Sequence, residues 1–290
     1  LQGVFSSGTF TSASAYVADI TTSEDRIKGM SKLGASVAAG FIFGPAIGGI
    51  LSALNHQLPF FAAAILTIVN LIFVQLLLKE SLKIKEEKLV LREGLLNIKA
   101  MYHGLRGELG TLFILIFLWS YALSNNQVAI PLYGAEVLLI SAAVIGIFFS
   151  LQGFTSAFVQ WFLLARITTK IGEHHSAVLG LGLMALSLFL MPYSGIPLIL
   201  AALMMAFSFG SATTRPTVQT LISKQTKEGQ GTTMGIAASF ESVGRIIGPI
   251  LGGLVFYNFG YSAAFLMVVA FIAVMLFYVI FRKKFLRPKY

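Results

Sequence analysis

Glu241 and Arg245 lie four residues apart in an otherwise apolar stretch of this 290-residue chain. In a helix this spacing puts both side chains on one face, where a carboxylate and a guanidinium can pair. Arg215 lies in another apolar stretch and reaches a similar depth from the opposite direction. A charge at mid-bilayer costs on the order of 3 kcal/mol, so such residues usually pair and often mark a pathway. We expect a cluster of Arg215, Glu241 and Arg245 that either locks helices together or couples to substrate or protons.

A second candidate site consists of polar residues without charge. These groups can hydrogen-bond an amphipathic ligand in a cavity without placing a permanent charge there. Interhelical hydrogen bonding explains the same residues equally well, and both interpretations stay open. The residues are Asn125, Asn126, Gln127, Gln152 and Gln160.

The composition identifies the elements that must hold these residues. Hydrophobic residues make up 56% of the chain and charged residues 11%, and the mean hydropathy is +0.82. Soluble proteins carry about 25% charged residues, so the chain is predicted to cross a membrane several times. There is no cysteine, which excludes disulfides and thiolate metal sites. Acids and histidines do not cluster as in a membrane hydrolase, so we expect neither an enzyme nor a metal site.

The apolar stretches predict nine membrane-spanning helices, each of about 20 residues. Except for Arg215 and Arg245, the 21 Lys and Arg residues of the chain all fall in alternate connections between spans or in the C-terminal tail. The positive-inside rule therefore predicts a multi-pass protein of the cell membrane with a cytoplasmic C-terminus, and it accounts for the net charge of +9 without nucleic acid. The predicted spans are 1–20, 33–53, 59–78, 110–132, 140–165, 175–192, 197–219, 234–256 and 261–281.

An internal repeat sets the architecture. The run Gly40-Phe-Ile-Phe-Gly-Pro-Ala-Ile-Gly-Gly49 returns 204 residues later as Gly244-Arg-Ile-Ile-Gly-Pro-Ile-Leu-Gly-Gly253. Glycines four apart line one helical face and leave a groove for another backbone, and a proline inside a helix should kink it. The predicted packing residues are Gly40, Gly44, Pro45, Gly48 and Gly49, with Gly244, Gly248, Pro249, Gly252 and Gly253 in the second copy.

The repeat divides the chain into three parts. Residues 1–79 are predicted to be the remainder of an N-terminal bundle, and residues 109–290 a C-terminal bundle with a basic tail. Residues 80–108 form a cytoplasmic linker whose amphipathic helix is expected on the inner leaflet. Three spans precede the second copy within its half, so we expect an intact protein of twelve spans, of which this chain carries nine without its own N-terminus.

The pattern Gly40-x-x-x-Gly44-Pro45-x-x-Gly48-Gly49 is similar to the antiporter motif of bacterial drug:proton antiporters in the major facilitator superfamily. Asp19 and Arg26 lie in a segment that resembles the inner end of the fourth helix and its following loop, which implies a cytoplasmic gate. The family's fourth-helix arginine would lie just before Leu1. Gln127 and Ala212 stand where some of these exporters carry acids.

The resemblance implies an all-α polytopic membrane protein with the two-bundle fold of that superfamily. It implies export of small amphipathic or cationic substrates by alternating access, with the proton gradient as energy source and no cofactor. The expected partner is the lipid bilayer, and we expect a monomer. The alternatives are a sugar or metabolite exporter of the same fold and a truncated membrane fragment that does not transport.

Overall fold

We describe the chain from a computed structural model, which places residues 13, 16, 17, 20, 26–78, 98–107, 109–226 and 230–281. Its elements are α1 (Arg26–Leu54), α2 (Leu58–Leu77), α3 (Ile98–Arg106), α4 (Gly110–Glu136), α5 (Ala142–Phe158), α6 (Leu164–Ile171), α7 (Glu173–Leu190), α8 (Pro197–Gln225), α9 (Gln230–Phe259) and α10 (Tyr261–Phe281). One π-helical turn, Val159–Leu163, joins α5 to α6.

Eight of the helical segments in the described residues are long and apolar enough to cross a membrane. They match the eight predicted spans from 33–53 onward, with ends that differ by a few residues. The predicted span 1–20 lies almost entirely outside the described residues. The all-helical prediction is confirmed, since the described part of the chain contains no strand.

Glycines permit two of the sharpest reversals between spans. Gly172 separates α6 from α7 with a φ of 82°, and Gly260 separates α9 from α10 with a φ of 84°. Residues that carry a side chain rarely adopt such positive φ values, so glycine lets the chain reverse its direction within a single residue. Adjacent spans are consequently antiparallel and close together.

The predicted repeat also appears in the turn between the paired helices. A shift of 204 residues places Leu54, where α1 ends, one residue before Phe259, where α9 ends. The same shift places Leu58, where α2 begins, one residue after Tyr261, where α10 begins. The two Gly-Pro runs therefore precede turns at matching positions.

Helix α4 is the centre of a bundle formed by α4 to α10. It packs against α8, α9 and α10, while α7 packs on α8 and α10. Fully buried side chains from several of these helices, among them Ile116, Leu181, Met204 and Phe265, form its core. Helix α1 packs on α5 of this bundle, and α2 packs on α1.

Helix α3 is the described part of the predicted linker helix, and it packs against protein. It contacts α4 and α9. Met101 packs against the core, and a Cβ placed on Gly104 would lie 3.1 Å from the ring of Phe113. Part of its apolar face is therefore used by the bundle, and its position on the inner leaflet stays a prediction.

Candidate functional site

Glu241 is the centre of the charge cluster, which we define as Arg215, Glu241 and Arg245. Arg245 Nη2 donates to Glu241 Oε1 over 2.6 Å. Arg215 reaches across from α8, with Nε and Nη2 both 3.3 Å from Glu241 Oε2. The Glu241 side chain is 10% exposed, whereas those of Arg215 and Arg245 are 40% and 59% exposed. The predicted juxtaposition is thus present, with a buried carboxylate and two outward-reaching guanidiniums.

Helix α4 contacts the charge cluster through the side chains of two residues. Arg215 Cζ lies 5.3 Å from the ring centroid of Trp119, within the range of a cation–π contact. Trp119 Nε1 donates to Ser211 Oγ over 2.8 Å, one turn before Arg215 on α8. The Ser120 hydroxyl donates to the backbone carbonyl of Glu241 over 2.6 Å. The cluster is therefore fixed to three helices, α4, α8 and α9.

The cluster lies on the face of α8 that is turned away from α7. The face turned towards α7 carries Thr213 and Thr214, whose hydroxyls lie against Gly180. Ser208 and Ser211 lie on the other face, where they bond α5 and α4. Arg215 continues this second series at the helical spacing of three and four residues. Its guanidinium is directed towards α4 and α9.

The residues of this site come from similar depths along four spans. Trp119 is nine residues from the start of α4, Arg215 ten from the end of α8, and Glu241 eleven from the start of α9. Gln160 is eleven residues from the end of α6. At 1.5 Å per residue, each lies about 14–17 Å from its helix end. All four ends lie on the side that carries the basic connections, so the site occupies one level of the protein.

Three glycines of the second copy lie against α4 of the same bundle. A Cβ on Gly244 would lie 2.7 Å from the carbonyl oxygen of Phe117, and one on Gly248 would lie 2.8 Å from Ser124 Cβ. A Cβ on Gly252 would meet the side-chain amide of Asn125 at 2.5 Å. Larger residues do not fit at these positions. This stripe is therefore a close seam between α9 and α4.

In the first copy, two of the five predicted packing residues, Pro45 and Gly49, lie at the contact, and the packing of the other three stays a prediction. Within the described residues no atom lies within 4 Å of a Cβ placed on Gly40, Gly44 or Gly48, and Gly253 of the second copy is equally open. Contact with α5 is made instead by the neighbouring face. A Cβ on Gly49 would lie 3.1 Å from Ala143 Cα.

The contact between α1 and α5 is backbone against backbone over three turns. On α5, Gly146 lies against the Pro45 carbonyl, and a Cβ on Gly153 would lie 2.9 Å from the Phe41 carbonyl. The two helices run antiparallel, since Phe41 meets Gly153 and Gly49 meets the start of α5. The contact thus joins the predicted N-terminal half to the predicted C-terminal half.

Three of the five predicted cavity residues are buried and bonded or packed between helices. Gln152 Nε2 donates to Asn126 Oδ1 over 3.3 Å and to the Met204 carbonyl over 3.4 Å. Asn125 is fully buried against α9, and its amide has no hydrogen-bond partner among the described residues. For Asn126 and Gln152 the geometry favours interhelical bonding.

The other two, Gln127 and Gln160, are exposed. Gln160 Nε2 donates to Ser156 Oγ over 2.9 Å on its own span. Successive residues are about 100° apart around the helix axis. Gln160 and Ser156 therefore lie on the part of the helix surface between Gly153, which faces α1, and Gln152, which faces α8. The role of Gln160 as a cavity residue stays a prediction.

The predicted gate residues are outside what the structure describes. Asp19 lies outside the described residues, and so does the side chain of Arg26, the first residue of α1. Their role at a cytoplasmic gate stays a prediction. The described residues include no group of His, Asp and Glu that could hold a metal ion, and His174 and His175, expected in a loop, begin α7.

Two close contacts were missed from the sequence. The bond from Trp119 to Ser211 joins residues 92 positions apart, and neither residue belongs to a repeat. Gly180 and Gly210 bring α7 and α8 into backbone contact without a second glycine four residues away. The pair of threonines beside Gly210 was a usable signal, because small residues of this kind are common at helix contacts in membranes.

Comparison with known proteins identifies the fold and the family. The profile described as Major Facilitator Superfamily matches residues 1–120 and 112–289. Multidrug resistance protein 2 of Bacillus subtilis is 27% identical over 279 residues, which cover 93% of this chain and 69% of that protein. The class C tetracycline resistance protein of Escherichia coli is 28% identical over 82% of this chain and 60% of its own length.

The quinolone resistance protein NorA of Staphylococcus aureus is 27% identical over 83% of this chain and 61% of its own length. The chain thus spans between 60% and 69% of these relatives. The crystal structure of the human organic anion transporter MFSD10 superposes with a TM-score of 0.67 at 22% identity, covering 97% of this chain and 68% of that one. The chain belongs to the major facilitator superfamily.

Proposed function

We propose that this chain forms part of a secondary transporter that exports small amphipathic compounds from the cell by alternating access, driven by the proton gradient. The basic connections lie on the cytoplasmic side, and the C-terminus is cytoplasmic. The names of the bacterial relatives, which are multidrug, tetracycline and quinolone resistance proteins, support this class of cargo.

The observation that carries the proposal is the contact of α1 with α5. Among the described residues it joins the two predicted halves, and its glycines and Pro45 lie against backbone atoms of the facing helix. Helices in contact through small residues can slide or rotate without unlocking long side chains. A transporter that rocks its halves around a central site requires such a surface.

Glu241 is the proposed proton-coupling residue. Of the acidic residues that the structure describes, Glu136 and Glu173 lie at helix ends and Glu241 lies inside a span. Its two arginines come from different helices, α8 and α9. Protonation of Glu241 would weaken both ion pairs, and in this way it would loosen α8 from α9.

The test is efflux from cells that lack their own exporters, with the complete reading frame that encodes this chain. We expect export of at least one of ethidium, tetracycline and norfloxacin that stops when a proton uncoupler is added. Export of hydrophilic metabolites without any of these compounds would replace the drug assignment by that of a metabolite exporter.

A matched pair of variants separates coupling from general damage. Glu241→Gln should abolish uncoupler-sensitive export, while Glu173→Gln should retain it, because Glu173 forms an ion pair with Lys224 at the end of the bundle. Export by each variant is expressed per folded molecule in detergent, because Glu241→Gln also lowers stability. Unchanged export in Glu241→Gln would refute a role of this carboxylate in coupling.

A further inference from the structure

We propose that the charge cluster is the binding site for the anionic group of an aromatic substrate, so that the transporter prefers organic anions to lipophilic cations. The proposal rests on the proposed transport function and names the substrate class of the same site. It follows from the charge of the cluster, the exposure of its members and the position of Trp119.

The cluster has an excess positive charge. Two guanidiniums share one carboxylate, which leaves a net charge of +1 within the span. No other acidic side chain that the structure describes lies inside a span. An excess positive charge inside a membrane span attracts a counter-ion, because protein and lipid screen charge less than water does. A lipophilic cation would be repelled by the same field.

The arginines present unused donors on their exposed sides. Arg245 bonds Glu241 through Nη2 and makes no other hydrogen bond within the described residues. Arg215 uses Nε and Nη2. A guanidinium has five N–H donors in a planar fork that matches a carboxylate, so both residues can accept a second anion while Glu241 stays bonded.

Trp119 provides the aromatic preference. The centroid of its ring lies 5.3 Å from Arg215 Cζ, and the ring is held by the bond to Ser211. The Arg215 side chain is still 40% exposed, so a ligand can reach it. A planar aromatic ring can stack on an accessible guanidinium. An anion attached to such a ring would then reach Arg245.

The depth of the cluster favours a small molecule over a phospholipid headgroup. Each headgroup layer is about 5–8 Å thick, whereas the cluster lies about 15 Å from the helix ends. A soluble carboxylate that enters the space between the halves reaches this depth, and a lipid phosphate does not.

The proposal is tested by measuring the binding of three ligands of similar shape to the purified transporter in detergent. This measurement does not depend on transport. The ligands are 1-naphthoate, its neutral analogue 1-naphthamide and the cation 1-naphthylmethylammonium. We expect naphthoate to bind at least about tenfold more tightly than naphthamide, as a charge-assisted hydrogen bond would give, and the cation to bind least. Arg245→Gln should remove this preference, and Arg245→Lys should restore part of it. Lys224→Gln, at the exposed end of α8, should leave the preference intact.

Each outcome decides the proposal. Equal affinity for naphthoate and naphthamide, or a preference that survives in Arg245→Gln, would overturn it. Binding that is abolished by added phosphatidylglycerol would assign the site to lipid instead. The thermal stability of each variant without ligand shows that it is folded. Arg215→Gln removes the other positive charge of the cluster and is an independent second test. If naphthoate binds as expected but no compound is exported from cells, the transport function fails and the site assignment stands.

Discussion

The two copies of the Gly-Pro repeat pack through neighbouring faces of two equivalent helices, α1 and α9. In the second copy, the stripe Gly244, Gly248 and Gly252 is packed on α4, while Gly253 is open among the described residues. In the first copy, the corresponding stripe of Gly40, Gly44 and Gly48 is open, while Gly49 is packed on α5. One sequence pattern therefore encodes two contact surfaces on each helix.

The difference assigns a role to each surface. The stripe that packs on α4 holds a helix within its own bundle, and we propose that this seam is fixed because the Ser120 hydroxyl of α4 also donates to the Glu241 carbonyl of α9. The neighbouring face, which carries Pro45 and Gly49, meets a helix of the other half. The repeat then predicts a partner outside the described residues for each open face. The partner of α1 would be fixed to α1, and the partner of α9 would move against α9.

The largest expected effect comes from filling the fixed seam. Gly248→Leu would force its side chain against Ser124 and Tyr121, and overpacking of this kind costs about 1–3 kcal/mol or more. We expect the melting temperature to fall by more than about 5 °C. Gly235→Leu, on the same helix but with no atom within 4 Å in the described structure, is the control and should change little.

The same substitution in the first copy extends this comparison. Gly44 corresponds to Gly248 after the shift of 204 residues. If the complete protein covers this stripe as the repeat predicts, Gly44→Leu should lower the melting temperature as Gly248→Leu does. A harmless Gly44→Leu would show that the two copies pack differently.

A smaller effect is expected from the charge cluster, which only the second copy contains. Val37 and Phe41 take the places of Glu241 and Arg245 in the first copy. Glu241→Gln removes charge-assisted bonds from a buried group and should cost about 1.5–3 kcal/mol. Glu173→Gln breaks an exposed ion pair and should cost less than about 1 kcal/mol. Thermal unfolding of both variants measures the difference, and equal losses would contradict the burial of the cluster.

The smallest effect on stability is expected from two neighbouring polar residues of α4, one buried and one exposed. Asn126→Leu breaks the bond to Gln152 and should cost about 1 kcal/mol. Gln127→Leu changes an exposed neighbour and should cost less than about 0.5 kcal/mol. Thermal melts of the two variants, together with their substrate range, test this order. A lower stability for Gln127→Leu than for Asn126→Leu would reverse the assignment of these two residues.

The spans, the repeat and the charge cluster could be predicted because each rests on a local or periodic signal. Apolar length gave the spans, and charges within apolar runs must find partners, so Arg215, Glu241 and Arg245 were expected together. The sequence could not show which face of α1 is packed, because Gly40, Gly44, Gly48 and Gly49 all suit close contact. Nor could it separate Asn126 from Gln160, since burial depends on the neighbouring helices.

The central claim, that the face of α1 at Gly49 moves while the seam at Gly248 is fixed, is tested most directly by disulfide trapping. The chain has no cysteine. A Cβ on Gly49 would lie 3.1 Å from Ala143 Cα, and one on Gly248 would lie 2.8 Å from Ser124 Cβ. The Cβ atoms of a disulfide are about 3.5–4.5 Å apart, so both contacts must widen slightly to be cross-linked, and only variants that export before oxidation are compared. The measurement is efflux by the Gly49→Cys/Ala143→Cys and Gly248→Cys/Ser124→Cys variants, before oxidation, after it and after reduction.

The account predicts that oxidation stops export in the Gly49/Ala143 pair, that reduction restores it, and that the Gly248/Ser124 pair exports in all three states. Continued export by a fully cross-linked Gly49/Ala143 pair would show that the two halves do not move at this contact.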